Sequence, residues 1–127
     1  MKLNNKNKKQ AGLTLIEITV VISVLLGLIA VLFIGVQNYR EATNKSRCIM
    51  QISAMQKAVR SYQNLENQVT GAALTQADIV GTGKLVAVLP TCPSGGSYTL
   101  AATIPDVGTA ALTCNQAGHA PADVAGW

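Results

Sequence analysis

Glu17 is the ionisable residue whose setting most needs explaining. It lies inside "AGLTLIEITVVISVLLGLIAVLFIGV", residues 11–36, with no basic side chain near it in the sequence. A carboxylate there either complements the positive end of its own helix or neutralises a cation that another molecule supplies. The other reactive side chains are three cysteines, Cys48, Cys92 and Cys114. If the C-terminal part faces an oxidising compartment, Cys92 and Cys114 form the natural disulfide and Cys48 stays free. That bridge would close a 23-residue loop, worth about 3 kcal/mol in the chain-entropy account. The alternative is three unpaired thiols. No CxxC pair occurs, which argues against a zinc site, and neither a metal nor any other cofactor is expected. His119, in "AGH", has no carboxylate or cysteine at ligand spacing and reads as a solvated loop residue. The six acidic residues are scattered and form neither a catalytic pair nor a calcium loop. Ser94-Gly95-Gly96-Ser97 reads as a turn and not as a phosphate cradle, because no Lys-Ser/Thr follows it. Nothing in this inventory supports an enzyme.

The elements that carry these residues differ sharply in composition. Leu13 to Val36 is 24 residues with one charge. As a helix rising 1.5 Å per residue it would span roughly 36 Å, enough to cross a bilayer. Lys2, Lys6, Lys8 and Lys9 precede it and account for the whole net charge of +4. That cluster argues for a cytoplasmic N-terminus by the positive-inside rule, and not for nucleic-acid binding. Beyond Gly35 there is no glycine or proline until Gly71. Cys48, Ile52, Met55, Val59 and Tyr62 recur at alternating spacings of four and three, which is one face of a helix. Arg40, Lys45, Lys57 and Arg60 suit its wetter sides, and a solvated or headgroup-facing helix explains them better than DNA contact. One helix from Leu13 to about Asn67 is therefore expected.

The remainder, 71–127, holds all four prolines and most of the glycines. "ADIVGTGKLVAVLP" reads as a connection into an extended run. "GSYTLAATIPDVGTAALTC" reads as two short strands, near Tyr98–Ala102 and Thr109–Cys114, around a Pro-Asp turn. Such a lobe is too small for a core of its own and needs the helix stripe as its floor. The expected class is α+β: one long helix carrying a small antiparallel β lobe. Its parts are a leader, 1–12; a membrane or filament-core helix, 13–36; an amphipathic half of the same helix, 37–70; and the Gly-rich lobe, 71–127.

The run "GLTLIE", Gly12 to Glu17, behind a basic leader and ahead of an apolar helix, resembles the cleavage and N-methylation motif of type IV pilins and type II secretion pseudopilins. Unlike an ordinary secretory signal, the small pair Ala11-Gly12 precedes the apolar run. The resemblance implies that a membrane prepilin peptidase cuts between Gly12 and Leu13 and methylates the new amine of Leu13. Leu13 departs from the Phe usual there, and Ile34 stands where many relatives carry proline. More weakly, "LPTCPSGGSYTL" and "LTCNQAGH" are similar to the C-terminal segments of small pilin-like proteins with a Cys-Pro-x-Gly-Gly-x-Tyr element.

What the resemblance implies is a non-enzymatic filament subunit of a type IV pilus or a secretion pseudopilus. It would be a single-pass inner-membrane protein with its lobe periplasmic or extracellular. Implied partners are the prepilin peptidase, other pilin-like subunits, an inner-membrane assembly platform with its ATPase, and the membrane, with nucleic acid not expected. In that setting Glu17 would pair with the amine of a neighbouring subunit. Two alternatives stay open: a single-pass anchored binding protein that never polymerises, and a DNA-uptake pilin.

Overall fold

The structure is a computed structural model that describes residues 12–127. Of the expected leader, residues 1–11, lysines included, lie outside the described residues. Helix α1 runs from Leu15 to Leu65 without a break. Helix α2 is a single turn, Gln76–Ile79, and strands β1 (Tyr98–Leu100) and β2 (Leu112–Cys114) form a two-stranded antiparallel sheet. One long helix with a small antiparallel sheet packed on it is the α+β arrangement expected from the sequence.

The chain divides by its contacts into two units, meeting between Asn38 and Tyr39. In the first, every described residue is solvent-exposed within the chain. The run is long and apolar enough to cross a membrane, and none of that apolar window is buried. In the second, α1 supplies Cys48, Ile52, Met55 and Val59 to a core completed by Leu74, Ile79, Cys92, Ile104, Ala111 and Leu112. The four helix residues are the stripe predicted from their spacing, with Tyr62 partly buried at its end.

The strands are shorter than the sequence suggested, for identifiable reasons. The register pairs Tyr98 with Cys114, Thr99 with Thr113 and Leu100 with Leu112. Leu112 is buried while Thr99 and Thr113 are exposed, the period-two signature of a sheet with one covered face. Past Leu100 one more bond follows, from Ala101 N–H to Ala111 O at 2.8 Å, before the chain turns to another partner. Leu74 N–H donates to Ala102 O at 2.9 Å, and Ile104 N–H to Ala72 O at 2.9 Å. On the other strand the Ala111 N–H is taken by the Gln56 side chain at 2.7 Å, near where the ladder stops.

Two further features differ from expectation. The stretch read as a plain connection contains α2, opened by Thr75-Gln76-Ala77-Asp78, in which the Asp78 carboxylate accepts from the Thr75 N–H at 2.8 Å and the Thr75 hydroxyl at 2.6 Å. Arg60 does not simply face water. It donates to the main-chain oxygens of Pro105, Asp106 and Trp127 at 2.9–3.1 Å. With strands of three residues, most of the lobe's backbone groups lie outside any ladder. Long side chains from the helix supply part of the missing hydrogen bonding.

Candidate functional site

Two groups of residues qualify as functional, one in each unit. The first is the start of α1. Gly12 and Leu13 are exposed and lie just ahead of the helix, outside any regular element. Thr14 is the cap: its hydroxyl oxygen accepts from the Glu17 N–H at 3.3 Å, and its own N–H donates to Glu17 Oε2 at 3.4 Å. This is a capping box, each end residue satisfying the other's orphan donor. The Thr-x-x-Glu spacing was present in the sequence and carries this local role. The contact that involves the carboxylate is long for a charge-assisted bond, and Glu17 remains exposed, so its carboxylate retains acceptor capacity for a cation. Downstream, Thr19 and Ser23 return their hydroxyls to the main-chain oxygens of Ile16 and Thr19, at 2.9 and 2.8 Å, which removes polar groups from an apolar surface.

The second group is a thiol–imidazole cluster. Cys48 comes from α1, Cys92 from the Pro-rich loop before β1, Cys114 from the end of β2, and His119 from the turn beyond it. One ligand-capable atom from each lies within 4.8 Å of every other. Cys48 is fully buried, Cys92 is 5% exposed and His119 only 2% exposed. The reading of His119 as a solvated loop residue is therefore corrected. Its N–H donates to Gln116 O at 3.2 Å, closing a turn that Gly118 permits at φ +76°. That turn brings the ring against Cys48 and Cys92. His119 Nδ1 lies 3.6 Å from Cys92 Sγ, and Nε2 lies 3.3 Å from Glu41 Oε1 on α1.

The loop "CPSGGSY" shapes the cluster's second side. Gly95 adopts φ +78°, and a Cβ on Gly96 would fall 2.5 Å from Gln116 Cγ and 3.2 Å from Cys114 Sγ. The paired glycines thus let the chain turn tightly over the sulfur atoms, in keeping with the expected turn. The turn also aims backbone N–H groups at one sulfur. Burial alone would push the Cys92 thiol up. Hydrogen bonds from the Ser94 and Gly96 backbone, aided by His119 and Cys114, outweigh it and bring the thiol down to about 7. Burial pushes the Cys48 thiol up to about 11, with a hydrogen bond from Tyr98 opposing the shift and the neighbouring Cys114 and Cys92 thiols adding to it. The Tyr98 phenol, which donates to Gln51 Oε1, is held above its ordinary range by burial and by the adjacent thiols.

Cys48, Cys92 and Cys114 are free thiols in the structure, and the cluster brings together the pair proposed as a disulfide, the cysteine expected to stand alone, and a histidine. Sequence spacing gave no sign of this convergence, because the four residues come from four separate segments. Gln56 was also missed. It is 3% exposed and ties α1 to the lobe through Ala111 N–H and Thr109 O, the latter at 3.3 Å. The chain matches no protein-family model, no curated protein and no solved structure.

Proposed function

We propose that the protein is a structural subunit of a pilus-like filament or secretion pseudopilus, cut between Gly12 and Leu13, methylated on Leu13, and stacked through the first half of α1. The observation that carries this reading is an apolar helix half, exposed along its whole length, with a single carboxylate in its first turn, five residues after Gly12. Such a surface needs a non-aqueous environment. Lipid serves before assembly, and the same half of neighbouring subunits serves afterwards. The lobe would then form the outer surface. The partners are the prepilin peptidase, the assembly platform with its ATPase, and pilin-like subunits.

A second reading has its own support. The capping box gives Glu17 a complete local role, which suits a membrane-anchored protein that does not polymerise. Glu17→Gln separates the two, because glutamine also serves at that position of a capping box. The substitution preserves the helix start and removes the charge. If Glu17 meets a neighbour's amine in a water-excluded core, the unpaired amine costs about 3–5 kcal/mol per contact, and filament growth stops. Cleavage and membrane insertion should persist. The measurement compares cleaved membrane-bound subunit with sheared filament in one strain; normal filament yield from the variant sinks the pairing role but keeps the filament, whereas absence of filament from the unsubstituted chain as well leaves only the anchor. An uncleaved N-terminus in cells that contain the peptidase, read by mass spectrometry, sinks both the processing and the filament.

A further inference from the structure

We propose that Cys48, Cys92, Cys114 and His119 form a closed structural site for one divalent cation of borderline-soft character, with zinc the best fit. The argument is geometric. A tetrahedral zinc centre holds sulfur at about 2.3 Å and imidazole nitrogen at about 2.0–2.1 Å, which separates sulfur from sulfur by about 3.8 Å and nitrogen from sulfur by about 3.6 Å. The separation of His119 Nδ1 from Cys92 Sγ is 3.6 Å. All other pairs fall within 4.8 Å, so assembly of the centre requires closure of no more than about 1 Å at any pair. Three sulfurs and one imidazole nitrogen select zinc over the oxygen-seeking cations.

The surroundings fit the same centre. Glu41 faces His119 Nε2. A proton held there leaves the Nδ1 lone pair directed at the sulfurs, the arrangement by which a carboxylate orients a metal-bound imidazole. The four ligands come from α1, the loop before β1, the end of β2 and the turn beyond it, so one ion would tie these four segments together. A lobe with two three-residue strands needs such a staple. A Cys92–Cys114 disulfide would supply one as well, but it gives no role to a buried imidazole aimed at the sulfurs or to a third thiol beside them. Binding releases the thiol protons to solvent, and no redox step is involved. The proposal does not depend on the filament reading.

The test uses the full chain, isolated in detergent from the compartment where it resides. Elemental analysis should give one zinc per chain. Exchange with Co2+ should produce thiolate-to-cobalt charge transfer in the near ultraviolet together with the intense visible bands of a tetrahedral ion. Cys48→Ser should abolish those bands. Because Cys48 is also a core residue whose replacement strains the lobe, two milder variants accompany it. His119→Cys should keep the metal and raise the charge-transfer intensity by about a third, through a fourth thiolate. Glu41→Gln, at an exposed position, should weaken zinc affinity by roughly 10-fold through loss of the orienting carboxylate. A chain isolated with Cys92 joined to Cys114 and no metal overturns the proposal, as does a cobalt spectrum without thiolate charge transfer or one unchanged by His119→Cys.

Discussion

The two halves of α1 share one uninterrupted helix and differ in almost everything else. The half before Tyr39 carries a single charge among its described residues and buries nothing within the chain. The half after it includes Lys45, Arg47, Lys57 and Arg60, yet it bears the whole share of the core that α1 supplies. Apolarity and burial run in opposite directions along one element. What decides burial is whether a stripe of apolar side chains repeats on one face, as Cys48, Ile52, Met55 and Val59 do, so that a small lobe can cover it. A helix apolar on all sides has no preferred face for this lobe, and its partner has to come from outside the chain.

That contrast is most easily broken by one substitution made in each half. Ile52 is 1% exposed and Ile22 is 49% exposed. Ile52→Ala should destabilise the lobe by about 2–5 kcal/mol, the cost of lost burial plus the cavity left behind. Ile22→Ala should leave it within about 0.5 kcal/mol. Urea denaturation of the full chain in detergent, followed by fluorescence of the single tryptophan, Trp127, which packs at the core's edge, reads both. Equal losses would mean that the halves are energetically one body.

A smaller effect sharpens the comparison by asking what the second half contributes beyond apolar area. Gln56→Leu removes the acceptor for the Ala111 N–H, at 2.7 Å, and the donor to Thr109 O. Leucine keeps much of the volume but strands a buried donor, at a cost of about 1–3 kcal/mol. Loss of exchange protection at the Ala111 amide is the local signature. If stability is unchanged and that amide stays protected, the polar staple is incidental.

The smallest expected effect lies off the helix altogether. Hydrogen bonds from the Thr75 hydroxyl and N–H hold the Asp78 carboxyl below its ordinary value of 3.8. Its contribution to the α2 turn is therefore complete above that value and fades as pH falls below it, through the lowered folded-state pKa. Asp78→Asn should flatten this acid dependence of Thr75 amide exchange without altering the core. An unchanged acid profile would place the sensitivity elsewhere.

Where the sequence was readable, short-range periodicity made it so. The stripe on α1, the sites of both strands and the exposed apolar half follow from spacing and composition. The Thr14–Glu17 and Thr75–Asp78 boxes carry an equally local signal, in residues three apart. The thiol–imidazole cluster does not. Cys48 and Cys92 are far apart in sequence and meet only because the lobe folds back onto the helix, and "AGH" contains nothing that shows His119 to be buried. Arg60 and Gln56 were opaque for a related reason. Their partners are main-chain oxygens and an N–H in irregular segments, and backbone groups leave no trace in residue identity.

Those two side chains also make the lobe sensitive to helical phase. Cys48, Gln56 and Arg60 reach their partners because each sits at a fixed angle around one axis, and an inserted residue turns everything beyond it by about 100°. One residue added between Cys48 and Gln56 would keep the helix, its composition and its length nearly intact, yet swing the amide and the guanidinium away from Ala111 and Pro105 while Cys48 stayed in place. The same addition before Tyr39 would pass unnoticed by the lobe. For the lobe, deletions and insertions in related chains should therefore be tolerated in the first half of the helix and nearly absent from the eleven residues between Cys48 and Arg60.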